Sequence, residues 1–312
     1  MSTVITPFQG IDSFSMATFN NRISQINTGF SYISNPNLLD NWYFGNPVNQ
    51  RGQTSYTGTG YGIDRWWFSG TSSTPATVII ESDCVKLLAT DSFRQLVENP
   101  SRFAGKKLTL SMLIEGVITG TGHTGFIVDN AWIASISLPT TTQKTLISVT
   151  ADIPNNLNML GAWYYGASGT EYKIYAAKLE LGSTQTLAHQ DADGNWVLNE
   201  IPDYGEQLRK CQRYFYKAHY VQYQTINAAY EATAYSFLAL PIPVNMRVEK
   251  PVLTQSAPVS VGASTKTMAT AEVKGCMAIL GVNYDVIQTY AGSCYAYCPT
   301  ADGVTFTLSA DL

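Results

Sequence analysis

Four large aromatic residues are of the right type for chemistry: Trp132 in AWIASISL, and Trp163, Tyr164 and Tyr165 in the glycine-flanked run GAWYYGASG. An exposed ring can stack on the apolar face of a pyranose while nearby amides and carboxylates take its hydroxyls. Glycine on both sides of the run predicts a projecting turn, where three successive rings are awkward to bury. Core filling or a subunit interface is the competing reading of the same residues. Near the C-terminus, Tyr284, Tyr290, Tyr295 and Tyr297 form a second aromatic set. Alternation in CYAYC puts Cys294, Ala296 and Cys298 on one strand face and Tyr295 and Tyr297 on the other. The small face is expected inward, which leaves the tyrosines as receptor contacts or a subunit interface.

Catalysis has weaker support. A glycosidase needs two carboxylates across a cleft, and Glu81, Asp83, Glu171 and Glu180 are available, but spacing along the chain pairs none of them. No GxSxG elbow or HExxH motif occurs. GTGYG (58–62) precedes a strand, so its glycines read as a turn and not as a phosphate cradle. DADGNWVLNE (191–200) has Asp191, Asp193 and Asn195 at alternate donor positions. Its glycine is Gly194, however, and Pro202 stands where a calcium loop needs a bidentate carboxylate, so a polar turn is expected. His123, His189 and His219 lie in separate segments without ligand spacing. The expectation is a non-catalytic protein that needs neither metal nor cofactor.

Only 13% of the residues are charged and the net charge is −4. The basic residues are scattered, which argues against nucleic acid as a partner. The start, MSTVITPFQGIDS, lacks the pattern of a secretory signal, and no apolar run is long enough for a membrane span. Five cysteines without a CxxC pair read as buried free thiols in a protein folded in a reducing cytosol.

Short runs separated by turn residues dominate the chain. DNWYF (40–44), IDRWWFS (63–69), ATVIIE (76–81), KLTLSMLIEG (107–116), AWIASISL (131–138), TLISVTA (145–151) and YKIYAAKLEL (172–181) all read as strands. In KLTLSML, Leu108, Leu110 and Met112 share a face. In DNWYF, Trp42 and Phe44 oppose Tyr43; in DRWWF, Trp66 and Phe68 oppose Trp67. A short helix is expected at DSFRQLVEN (91–99), capped by Asp91, with Phe93, Leu96 and Val97 on one side. Another is expected after Pro202, where Asp203 and Glu206 are spaced as a capping box and Tyr204, Leu208 and Cys211 share a face. Strands resume beyond it, and Pro241 and Pro243 mark an edge strand or extended connection. The predicted fold is mainly β: a short N-terminal α-helix (1–36), then two antiparallel, jelly-roll-like β-sandwich domains (37–188 and 212–312) joined by a linker with a short helix (189–211).

Five segments, in this order, resemble tail-fibre and receptor-binding proteins of bacteriophages and prophages. They are NLLDNWYFGNPVNQRG (37–52), IDRWWF (63–68), AAKLELGS (176–183), YGEQLRKCQRYFY (204–216) and LPIPVNMRVEKP (240–251). The resemblance implies a virion protein made in the bacterial host's cytoplasm, with a carbohydrate-binding-like sandwich. It also implies a host-surface glycan as partner and a homotrimeric assembly joined to other virion proteins through one terminus. It carries over no catalytic residue. A structural head or tail connector without glycan affinity is the alternative, and a polysaccharide depolymerase a further one.

The N-terminal stripe bears on assembly. Met16, Phe19, Ile23, Ile26, Phe30 and Ile33 are spaced 3, 4, 3, 4, 3, the seam of a coiled coil. Isoleucine at both Ile23 and Ile26 favours three strands over two; the competing reading is that the helix packs on its own β domain or docks onto a different virion protein. Gly29 costs the helix about 1 kcal/mol relative to alanine, which association must offset.

Overall fold

The structure is a computed structural model. It describes residues 34–71, 73–166, 170–220, 224–227, 236–257, 259–261, 264–266, 270–282, 293–297 and 304–311, together with Asn20. The seam from Met16 to Ile33 lies outside the described residues, as do Tyr284 and Tyr290. The chain is mainly β, in antiparallel sheets, and divides into two compact units. The first holds the described residues up to Pro47 together with Thr54–Gly62 and Trp66–Pro202. The second holds Val48–Gln53, Ile63–Arg65 and the described residues from Asp203 onward.

The strands of the first unit are β1 (Ser55–Gly58), β2 (Gly60–Tyr61), β3 (Trp67–Ser69), β4 (Ala76–Ile80), β5 (Val85–Leu88), β6 (Ser92–Leu96), β7 (Lys107–Val117), β8 (Gly122–Val128), β9 (Ala131–Ser137), β10 (Thr141–Asp152), β11 (Leu160–Gly166) and β12 (Glu171–Leu181). They form two six-stranded antiparallel sheets, ordered β1-β4-β5-β12-β7-β10 and β2-β3-β6-β11-β8-β9. A hairpin follows, β13 (Ala188–Gln190) with β14 (Trp196–Leu198).

The inner faces of the two sheets meet in the core. Tyr164 of β11 sets its ring edge-on to Tyr172 of β12 at 6.0 Å, and the Thr124 hydroxyl of β8 lies 3.4 Å from the Met112 sulfur of β7. Trp66, Phe44 and Phe93 cap this core. Trp66 stacks on Phe93 with centroids 4.7 Å apart and planes 8° apart, and it meets Phe44 edge-on. Its indole N–H donates to the Asn41 carbonyl at 2.9 Å. Trp42, Phe44, Trp66 and Phe68 are buried while Tyr43 and Trp67 are partly exposed, the inside–outside pattern expected of these residues.

Three local expectations change. DNWYF is not a strand: Asn41 sits at φ 53°, and the segment is tied to β12 by a bridge from Tyr43 to Ala176, with Phe44 N–H donating to the Tyr175 carbonyl and Ala177 N–H to the Trp42 carbonyl. DSFRQLVEN is not a helix. Its 3-and-4 apolar spacing fits one, but β6 is sandwiched between β3 and β11, and the ladder hydrogen bonds on both sides outweigh a weak local preference. GAWYYG (161–166) is not a projecting turn, because Leu160–Gly166 is an interior strand of the second sheet; residues 167–169 lie outside the described residues.

Among the cysteines, Cys84 and Cys211 are buried free thiols, but Cys276 is exposed. Burial, with Glu81 adding to it, pushes the Cys84 thiol up to about 12, so it is an inert packing group.

The second unit begins with α1 (Tyr204–Gln212). The Asp203 carboxylate accepts from the Glu206 N–H at 2.7 Å, the first half of the expected capping box. Cys211 and Gln207 face inward and Tyr204 is exposed, so the buried stripe is displaced from the expected one. Asp203→Ala should lower the stability of this unit by about 1 kcal/mol, read as a shift in urea midpoint at unchanged slope. Among the described residues ten strands follow: β15 (Phe215–Tyr220), β16 (Gln224–Asn227), β17 (Ser236–Pro241), β18 (Val252–Gln255), β19 (Val259–Val261), β20 (Ser264–Lys266), β21 (Thr270–Val273), β22 (Met277–Val282), β23 (Ser293–Tyr297) and β24 (Val304–Ser309). They make three small antiparallel sheets, β15-β24-β18, β16-β23-β19-β20 and β17-β22-β21. Leu240, Ile242, Met246, Leu280, Phe306 and Leu308 centre the core. Pro241 ends β17, an edge strand of its sheet, where its missing N–H costs nothing.

Candidate functional site

The second sheet of the first unit has an unusual outer face. Residues directly opposite in an antiparallel ladder share a face, so pairing register arranges its side chains in rows. One row runs Tyr61–Trp67–Arg94–Trp163–Gly125–Ser135 across β2, β3, β6, β11, β8 and β9. A second row is Tyr165–His123–Ser137, and a third is Leu96–Gly161–Ile127–Trp132. A solvent-facing sheet surface is ordinarily polar. This one has five large aromatic rings and a histidine.

The rings touch. The Arg94 guanidinium carbon lies 4.1 Å from the Trp67 centroid and 4.2 Å from that of Trp163, so the fork is held between the two indoles. His123 stacks on Tyr165 at 4.9 Å and meets Trp132 edge-on at 4.7 Å. Trp132 and Trp163 are 6.4 Å apart. Gly125 lets the β9 backbone approach β8, since a Cβ there would lie 2.1 Å from the Ala134 carbonyl oxygen, and it leaves the position opposite Trp163 without a side chain. The β8–β9 register shift between Phe126 and Ile127 falls at the same place and re-aims the strand that carries Trp132. Trp132 is 37% exposed, and Tyr61, Trp67, Arg94, His123, Trp163 and Tyr165 are partly exposed. Burial draws the Arg94 guanidinium below its ordinary range, and the Tyr61 phenol acts against that shift.

Of the residues singled out in the sequence, Trp132, Trp163 and Tyr165 come together on this face. Tyr164 does not: it is 1% exposed and lies in the core on the opposite side of β11, where burial pushes its hydroxyl far up. Tyr295 and Tyr297 lie on β23, where Tyr295 pairs with Thr225 and Tyr297 with Ser260. The sequence reading singles out neither Tyr61 nor Arg94 for this site, weighs His123 only as a metal ligand, and treats Trp67 only as the ring opposite Trp66. Strand alternation applied to GAWYYG would have separated Trp163 and Tyr165 from Tyr164.

The carboxylates are engaged elsewhere. Glu180 is buried and accepts from the Thr186 N–H and hydroxyl. Glu171 pairs with Lys86, Glu81 with Lys173, and Asp83 with Lys144. Asp191 organises a polar turn, accepting from the N–H groups of Asp193 and Asn195 at 2.9 Å each. Those bonds, the Asn195 one foremost, hold its carboxyl below the usual range. Among the described residues, no cluster of three or more His, Cys, Asp or Glu is arranged to hold a metal ion.

No protein-family model matches this chain, and no curated protein sequence matches it. Solved structures share likeness at low identity. A CBM4 structure is 12% identical over 43% of this chain and 93% of its own, with a TM-score of 0.31. The N-terminal CBM22-1–CBM22-2 tandem domain from Paenibacillus barcinonensis is 9% identical over 88% of this chain and 98% of its own, with a TM-score of 0.28. The enzymatically active domain of bacteriophage CBA120 tailspike protein 4 is 11% identical over 47% of this chain and 21% of its own, also at 0.28. Each of these TM-scores is under 0.5, and the functional reading rests on the face itself.

Proposed function

We propose that the protein binds a saccharide, without cleaving it, on the outer face of the second sheet of the first unit. The observation that carries this reading is a contiguous set of partly exposed rings on a solvent-facing sheet (Tyr61, Trp67, Trp132, Trp163 and Tyr165) around one guanidinium. Exposed apolar patches that fold without a core partner mark binding surfaces, and aromatic faces with a few polar groups suit sugar rings. The strands that build the face contain no Asp or Glu, which favours binding over glycosidase chemistry. The finer reading places this face on a bacteriophage appendage that adheres to a host-surface glycan. Its support is the ordered set of sequence segments that resembles tail-fibre proteins, and a homotrimer built on the Met16–Ile33 stripe belongs to that reading.

A panel of immobilised bacterial-surface polysaccharides tests the reading. Trp132→Ala and Trp163→Ala should each weaken retention on the bound glycan by roughly two- to tenfold, at unchanged Tm. Tyr164→Ala should lower Tm instead. Retention that neither tryptophan variant alters would remove the face from the function.

A further inference from the structure

We infer that the bound saccharide carries a carboxylate and that Arg94 pairs with it, an inference that rests on the saccharide-binding reading above. The six strands of the second sheet contain one Arg and no Lys, Asp or Glu. Among the described residues, no carboxylate pairs with Arg94; its neighbours are the Trp67 and Trp163 rings and the Tyr61 phenol. Arg51 in the second unit shows the contrast, with an aspartate on each terminal nitrogen.

Indole rings on both sides hold the guanidinium in place and offer no lone-pair acceptor to its N–H donors, which lie in its plane. The donors are therefore left for a ligand. A planar acceptor with two parallel oxygens meets them in bidentate fashion, and a carboxylate is such an acceptor. A neutral sugar laid over the same face would desolvate the cation further and offer no compensating charge. One guanidinium and no ammonium match a single negative charge. Trp67 and Trp163 stand two strand spacings apart, roughly 10 Å and about the length of a disaccharide, so the charge falls midway along a stretch that the rings can flank.

Calorimetric titration of the full-length protein tests this, using a galacturonate oligomer and a sialic acid oligomer, each against its carboxyl-reduced counterpart. At least one acidic oligomer should bind about tenfold tighter than its reduced form, with the preference shrinking at high salt. Arg94→Gln should erase that preference by weakening the acidic oligomer far more than its reduced form, while Arg94→Lys should restore only part of it. The wild-type comparison of acidic and reduced oligomers stands whether or not a variant folds. Equal or tighter binding of the reduced forms, weakened by Trp163→Ala but not by Arg94→Gln, would overturn the carboxylate assignment and leave the saccharide-binding face intact. Failure of every acidic, reduced and panel glycan to bind would overturn both.

Discussion

Trp66→Ala should cost the first unit about 3–5 kcal/mol, the range for deleting a large buried aromatic side chain. Trp66 is fully buried between Phe93, on which it stacks, and Phe44, which meets it edge-on. Its removal leaves a cavity against rings that cannot collapse far, because Phe93 is fixed in the middle of a strand paired on both sides. Trp66→Phe tests a separate part of the same contact. It keeps most of the stacked area but loses the N–H bond to the Asn41 carbonyl, and should cost about 1–3 kcal/mol. Urea unfolding followed by tryptophan fluorescence would measure both. A loss under about 1 kcal/mol for Trp66→Ala would mean that the aromatic cap is not a principal part of the core.

Arg51→Ala should destabilise the second unit by about 3–5 kcal/mol at neutral pH, because it leaves two buried carboxyl groups without their shared cation. Arg51 places one terminal nitrogen 2.7 Å from Asp64 Oδ1 and the other 2.7 Å from Asp311 Oδ2, over the ring of Phe215 at 3.9 Å. Asp64 also accepts from the Gln50 N–H and side-chain amide at 3.1 Å each. These partners pull the Asp64 carboxyl down, yet burial outweighs them and pushes it up to about 6. Burial raises Asp311 as well.

The pH dependence follows by linkage. A carboxyl raised from 3.8 to about 6 on folding makes the folded state the better proton binder between those values. Stability from this site is therefore full below about pH 4 and is lost as pH rises through about 6. Asp64→Asn should flatten that part of the stability–pH curve. Acid should also rescue Arg51→Ala in part, since protonation removes the charges that the arginine had balanced. A wild-type curve that rises with pH over this interval, and that Asp64→Asn does not alter, would refute the assignment.

The chain's own sequence determined the class of fold and several local features whose causes are local. Alternating Leu108, Leu110 and Met112 specified a buried strand. Asp203 specified the start of α1 because a cap needs only the next few residues, and Pro241 specified an edge because it lacks an N–H. The opposition of Trp66 to Trp67 was legible from the two-residue strand period. Tertiary structure decided the rest. The Phe93, Leu96 and Val97 spacing fits a helix, but pairing with β3 and β11 makes the segment a strand, since ladder bonds supplied by distant residues exceed a small local propensity. The same pairing sets Arg94 between Trp67 and Trp163, and it puts Trp132 within reach of His123 over the bare Gly125. Those partners lie far apart in the chain and are brought together by register alone. Register is fixed by which faces of two sheets must be buried against each other, and a single strand's sequence does not contain that condition.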